Sequence, residues 1–357
     1  MKKLAFIIIA VVASSTLFAQ KKVELITAVD NTQSNMVYYL PRTVLEVRVE
    51  ATRTVQKAGP FAKHAKENFG FEDDEIIFKN NVVYEITGIE IITSGVPDLA
   101  KLYKVTASPT SKANILQLNE VGVIQGINAP YRRTESAFFG EIQTIESENN
   151  VTIFFDKSEL PEDFFQSSFK EQVFLAVNKI YQFREAKYDL LSGYADNLPA
   201  DAVTLQLMLD ELTRRENSVM ELFRGKSATT TEKQTFRMIP TRLINDHILF
   251  HFSPETGFST EEDGTAEPVF ISLQATRNRT QQPNNTTKST VKTGFFYNIP
   301  QNVNTKIYTK EKTLHLENVP MAQFGQTMAL PVNFVDKNDV SILFDTTTGA
   351  IQINQSR

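Results

Sequence analysis

His247 and His251 stand four apart in the run Asp246-His247-Ile248-Leu249-Phe250-His251. On a helix, that spacing would aim two imidazoles at one metal ion. The residues around them are Leu, Ile and Phe in a strand-like pattern, and the glutamate of a metalloprotease motif is missing. In a strand, positions i and i+4 still share a face, while Asp246 as a third ligand would point the other way. Two histidines on the polar face of a strand is the expected arrangement, and no metal site is expected. His64 and His315 are isolated, with no neighbouring motif to orient either as a base. The chain has no G-x-S-x-G elbow, phosphate loop or dinucleotide fingerprint. These patterns point to no catalytic residue and to no cofactor.

Carboxylates and aromatics remain. Glu72-Asp73-Asp74-Glu75 has the chemistry to hold a cation or to act as paired acids. It sits at a loop boundary beside Phe71 and Ile76, where a solvated charge run is expected. Glu261-Glu262-Asp263-Gly264 reads as a hairpin tip, because the twelve-residue ligand spacing of a calcium loop is absent. The stretch Gly294-Phe295-Phe296-Tyr297-Asn298-Ile299-Pro300 buries one set of its aromatics by alternation and presents the other. Its expected role is a core strand. The competing role is an aromatic platform for a glycan or peptide, with Tyr297 as its polar-tipped member and Phe295 beside it.

The element that organises these residues is the run from Pro161 to Lys226. No Pro or Gly interrupts Glu162 to Ser192, and Phe165, Phe169, Val173, Ala176, Ile180, Phe183 and Leu190 recur at helical spacing. Pro161, Glu162 and Asp163 suit a first turn, and Gly193 suits a C-cap. A second run carries Leu205, Leu209, Leu212, Val219 and Phe223 and stops at Gly225. The short connection makes the two helices antiparallel neighbours. Phe164, Phe174, Tyr181 and Tyr188 fall off the stripe. They imply that a second face is covered, by a sheet or by a partner, and Phe164 and Tyr181 join Tyr297 and Phe295 as candidate contact residues.

Strands flank this hairpin. Val44 to Ala51 alternates with period two, and Pro41 marks its edge. Phe61 to Phe69 reads as a short helix ended by Gly70. Val82–Thr93, Leu102–Ala107, Ile115–Leu118 and Val151–Phe155 read as further strands. After a polar link at Ala228–Glu232 come Thr235–Ile239, Leu243–Phe252, Val269–Ala275, Phe295–Ile299, Thr305–Tyr308, Thr313–Leu316, Gln326–Leu330 and Ile342–Asp345. Thr280–Thr290 is a polar loop. Many short strands at this spacing suggest sandwich- or barrel-like regions. The expected class is α+β: mostly antiparallel β, with a long antiparallel helical hairpin inserted between two strand-rich regions. The expected division is a signal peptide at 1–19, a strand-rich domain at 20–160, the hairpin at 161–226 and a β domain at 227–357.

Composition narrows the functional classes. At 41% hydrophobic and 22% charged residues the chain is globular rather than disordered. A net charge of −5 with no basic block argues against nucleic acid. There are 0 cysteines, which removes disulfides, thiolate chemistry and a lipid-modified cysteine. Lys2 and Lys3, the apolar Leu4–Val12 and the small residues ending at Ala19 have the form of a cleavable secretory signal. No later stretch approaches membrane-spanning length. The expected location is the periplasm, or the periphery of an outer membrane.

Tyr39-Leu40-Pro41-Arg42-Thr43, Lys57-Ala58-Gly59-Pro60-Phe61, Leu190-Leu191-Ser192-Gly193, Leu222-Phe223-Arg224-Gly225-Lys226, Phe296-Tyr297-Asn298-Ile299-Pro300 and Ala322-Gln323-Phe324-Gly325 occur in that order. Together they resemble a family of uncharacterised exported proteins of Bacteroides-type bacteria, known as a domain of unknown function. The resemblance covers nearly all of the mature chain and transfers no active-site residue. It departs from the family pattern at Arg224 and Asn298. It implies export into a Gram-negative envelope, where Asp345-Thr346-Thr347 fits the short O-glycosylation acceptor pattern; a turn at Thr346–Gly349 competes with that role. Three functions follow as expectations. The first is a non-catalytic envelope protein binding a protein, peptide or glycan partner. The second is a carboxylate-dependent carbohydrate- or peptide-processing enzyme. The third is a structural or assembly factor of an outer-membrane complex.

Overall fold

The computed structural model describes residues 22–25, 35–106, 116–129, 144–147, 151–259, 264, 266–276, 294–331 and 341–352. Residues 1–19, expected as a signal peptide, Glu261–Asp263 and Thr280–Thr290 lie outside these residues. The chain begins with β1 (Lys22–Leu25), β2 (Asn35–Lys57), α1 (Ala65–Phe69), β3 (Asn81–Thr106), β4 (Leu116–Leu118), β5 (Ile124–Ile127) and β6 (Thr144–Ser147). The helices α2 (Phe169–Ser192) and α3 (Ala202–Arg224) follow. Then come β7 (Lys226–Met238), β8 (Ile244–Ser253), β9 (Gly257–Ser259), β10 (Glu267–Ala275), β11 (Phe295–Tyr308), β12 (Thr313–Leu330), β13 (Ile342–Phe344) and β14 (Ile351–Gln352). The architecture is mostly antiparallel β, with the helical hairpin set into it.

The strands form three sheets, in the orders β1-β3-β2-β7-β6, β12-β11-β10-β8-β9 and β14-β13-β5-β4. The alternation of β2 decides how the first sheet sits. Leu45, Val47, Val49 and Ala51 are all fully buried, while Glu46 and Arg48 on the other face pair with each other at 2.8 Å. The buried set packs on Phe250 and Phe252 of β8, Ile271 and Leu273 of β10, and Val303 and Ile307 of β11. The first two sheets therefore meet face to face over one core. A one-residue slip of β2 would turn its apolar set to water and its charges inward.

Hydrogen bonding runs across both proposed division points. β7 pairs with β2 from Leu45↔Met238 to Lys57↔Lys226, so the chain leaving the hairpin enters the first sheet directly. The third sheet joins β5 to β13 at Ile127↔Ile342. The polar run Ala228–Glu232, expected as a link, lies inside β7. Its threonines suit a strand with one wetted face. Val151–Phe155 pairs in no sheet; Ile153 is buried, and its carbonyl accepts from Lys57 Nζ at 2.9 Å.

Two long ribbons share one plan. In β2–β3, Tyr39 faces Leu102 and Pro41 faces Pro97, so Leu40 opposes the four residues Asp98–Lys101. In β11–β12, Ile299 faces Gln326 and Gln301 faces Met321, so Pro300 opposes Ala322–Gly325. Each proline stands where the ladder is interrupted and no N–H donor is required. These bulges let β11 and β12 run continuously where separate shorter strands were expected.

Candidate docking surface on the helical hairpin

Close backbone contact anchors the hairpin root. Phe61 N donates to Leu222 O at 2.8 Å and Ile77 N to Arg224 O at 2.8 Å. A Cβ on Gly59 would stand 2.4 Å from Leu222 O. Gly225 adopts φ +84, and a Cβ there would stand 2.7 Å from Lys57 O. These two glycines let the β2 terminus and the α3 terminus touch. Around them Phe61, Phe164, Phe223 and Ala65 are buried with Val173, Ala176, Ile180 and Val219. Fully covering each large side chain contributes about 1.5–3 kcal/mol.

The helices start and stop by local chemistry. Ser168 caps α2 by accepting from Glu171 N at 3.4 Å, and Gly193 ends it at φ +81. Asp201 caps α3 by accepting from Val203 N and Thr204 N, both at 2.9 Å. α2 therefore starts later than the uninterrupted run predicts. Glu162–Gln166 is a separate 3₁₀ turn, and the break at Ser167 and Ser168 shifts the phase of the stripe. Phe164 is turned inside and Phe165 outside.

Between the helices lies a polar contact. Glu216 of α3 is buried, with Arg184 Nε at 2.7 Å and Lys187 Nζ at 2.5 Å from its carboxylate. Burial works to raise its pKa. The hydrogen bonds and charges of Lys187 and Arg184 outweigh that effect and hold it below the usual glutamate range. Arg184 also stacks on Phe69 and Tyr181, each at 5.5 Å, and Tyr181 Oη donates to Asn68 O at 3.3 Å. Beyond Arg184, α2 extends about 12 Å further at 1.5 Å per residue. Over that length Leu190 is buried, and Arg215 of α3 reaches back to Glu159, ahead of the hairpin, at 3.7 Å.

Two uncovered surfaces result. On α2, Phe174, Val177, Tyr181, Arg184, Tyr188 and Leu191 recur at steps of three and four, one residue on from the buried Val173–Leu190 stripe. That spacing is a second seam, about 100° round the helix. It points outward, with Phe174 63%, Tyr188 64% and Leu191 68% exposed. On the opposite side of the helix–helix contact a groove of about 880 Å³ runs between Ala186, Asp189 and Leu190 of α2 and Leu207, Met208 and Leu212 of α3. Tyr194 and Asp196 close its outer end.

The residues singled out from sequence are dispersed. Phe164 and Phe295 are each 1% exposed, inside separate cores, and offer no surface. Tyr297 packs partly buried against the core that contains Phe295. Tyr181 is half exposed on the seam. Phe296 stacks on Tyr103 at 4.4 Å. His247 is exposed and pairs with Ile271, while His251 pairs with Pro268, and a register shift at Val269/Phe270 lies between the two, so plain strand spacing does not relate them. Among the described residues no three His, Asp or Glu side chains group to hold a metal ion. Glu72 and Glu75 form a reciprocal cap on a 3₁₀ turn, with Lys66 3.6 Å from Glu72 and Arg224 3.5 Å from Glu75. Sequence reasoning missed Glu216, Leu191, Leu207 and Met208. The three–four spacing of the second seam was the signal available for Leu191.

The other quoted motifs meet at a buried junction between the two ribbons. Asn298 is fully buried; its Nδ2 donates to Pro41 O at 3.2 Å and Thr348 O at 3.1 Å, and its Oδ1 accepts from Thr327 Oγ1 at 3.2 Å and Lys101 Nζ at 3.3 Å. Gln323 exchanges two bonds with the Thr43 backbone, at 2.9 and 3.0 Å. Asp345 Oδ1 accepts from Thr347 N at 2.9 Å and Thr348 N at 2.7 Å, so Thr346 lies in a tight turn. Each bulge thus reaches across to the other ribbon.

Among the described residues no helix is long and apolar enough to cross a membrane. No curated protein and no solved structure matches the chain. Residues 34–352 match a domain of unknown function, a span that runs from β2 to β14 and holds both ribbons and the hairpin between them; the chain belongs to the DUF4831 family.

Proposed function

We propose that this chain is a non-catalytic cell-envelope protein, exported to the periplasm or the periphery of an outer membrane, that engages a protein partner through its helical hairpin. One observation carries the reading: the second seam of α2, whose middle residues Val177, Tyr181 and Arg184 pack at the root while Phe174, Tyr188 and Leu191 stand uncovered. Helix faces of this kind dock against partner helices or grooves. Covering Phe174, Tyr188 and Leu191 would contribute about 1.5–3 kcal/mol each before the cost of association.

Site-specific photocrosslinking in intact cells tests this. A photoreactive residue at Tyr188 or Leu191 is expected to give a discrete crosslinked species that the same residue at exposed Thr229 of β7 does not. The same pattern from all three positions would sink the reading. A carboxylate-dependent enzyme has one observation in its favour. Glu85, Glu255, Glu267 and Glu311 line a cleft of about 600 Å³ with Phe252 and Leu314 on its walls. Hydrolysis of a glycan or peptide that survives Glu255→Gln and Glu267→Gln unchanged removes that site from consideration.

A further inference from the structure

We infer that the groove at the hairpin tip receives a basic amphipathic segment of a protein partner, with its apolar residues on Leu207 and Met208 and its cations against Asp189 and Asp196. This names the partner chemistry of the docking reading above and rests on it.

Shape gives the first argument. The groove has an apolar floor of Leu190 and Leu212 and an exposed apolar lip at Leu207, 64% accessible. Its volume of about 880 Å³ fits several side chains presented together. Met208 supplies a soft, adaptable wall of the kind that accepts varied apolar side chains.

Charge gives the second. Across residues 185–215 six carboxylates, Glu185, Asp189, Asp196, Asp201, Asp210 and Glu211, stand against Lys187, Arg214 and Arg215. All three cations are already engaged: Lys187 with Glu216 at 2.5 Å, and Arg214 and Arg215 with Glu211 at 2.8 Å each. Among the described residues no cation pairs with Glu185, Asp189 or Asp196. Asp189 and Asp196 both line the groove.

The helix terminus gives the third. The last turn of α2 carries no basic residue. Its C-terminal carbonyls and Asp189 therefore present a negative end with no cation of its own. A partner lysine or arginine complements that end, whereas an acidic helix or an anionic lipid surface is repelled by it.

The test uses the full chain and a fluorescent Leu/Lys amphipathic helix of about eighteen residues, long enough for five turns. Three comparisons are a Leu/Glu helix, a Lys-rich peptide without an apolar face, and vesicles of anionic phospholipid. The Leu/Lys helix is expected to bind, the other three much more weakly. Leu207→Ser and the pair Asp189→Asn with Asp196→Asn are each expected to weaken binding about tenfold, and the Asn pair also to flatten its salt dependence. Phe174→Ser, outside the groove, is expected to leave binding unchanged. Equal binding of the Leu/Lys helix to wild type and both groove variants overturns the inference. So does preferential binding to the vesicles, or no binding of the Leu/Lys helix at all. Crosslinks from Tyr188 and Leu191 that persist in those cases leave the docking arm standing without this partner chemistry; loss of both signals removes the arm itself.

Discussion

The junction around Asn298 and the tip of the hairpin treat their polar groups in opposite ways. At the junction, each amide and hydroxyl described has a partner drawn from a distant part of the chain: Asn298 with Pro41, Thr348, Thr327 and Lys101, and Gln323 with Thr43 and Pro240. At the tip, among the described residues, no cation pairs with Asp189 or Asp196, and Leu191 and Leu207 stand exposed. Special residues that are closed and fully paired explain the fold. Ordinary residues left open and unpaired are where a contact is missing, and a partner is sought there.

Four measurements can break or sharpen this contrast. The largest effect is expected where backbone meets backbone. A Cβ on Gly325 would stand 1.9 Å from Ile299 O, and one on Gly95 1.9 Å from Thr346 O. Gly325→Ala or Gly95→Ala is expected to cost about 3 kcal/mol or more in urea unfolding; a wild-type midpoint would show that the junction is looser than its contacts. Asn298→Ala comes next. It leaves the buried carbonyls of Pro41 and Thr348 without their donor, at about 2–3 kcal/mol.

Glu216→Ala follows, at about 2 kcal/mol near neutral pH, from the loss of two charged hydrogen bonds within the hairpin. The folded-state pKa of Glu216 lies below its unfolded value. Its contribution is therefore complete above the ordinary glutamate range and is lost as pH falls through the lowered value. Thermal melts from neutral to acid pH should show wild type and Glu216→Ala converging at the acid end. Parallel curves would contradict the assignment. The smallest stability effect is expected at the tip: Tyr188→Ser and Leu207→Ser should leave the midpoint within about 0.5 kcal/mol. A larger loss would mean that these side chains pack within the fold, against their exposure.

The legible parts of the fold were those written in local pattern. The alternation of Val44–Ala51 located β2 and its buried face, and Gly193 and Gly225 marked both helix ends. The start of α2 was misplaced because Phe165 stands four residues before Phe169 and so continues its stripe, and only the cap at Ser168 separates the two. Glu216 occupies an α3 stripe position between Leu212 and Val219; its partners are on another helix, beyond any local window. The four-residue bulges left a proline as their trace and nothing else. Of the docking surface, Tyr181, Tyr188 and Phe174 stood out as leftovers, while the groove needed the loop 194–197 folded over both helices.

The clasp between the ribbons also governs when the molecule can fold. Thr43 binds Gln323 across 280 positions and Thr347 across 304. Contacts of such high order form late, after loop-closure entropy has been overcome. Strand β2 precedes these partners by most of the family domain, and it acquires its full set only when residues 322–349 join it. Pulse-labelled amide exchange should show protection at Val44–Ala51 and at Thr348–Ala350 appearing in the same phase.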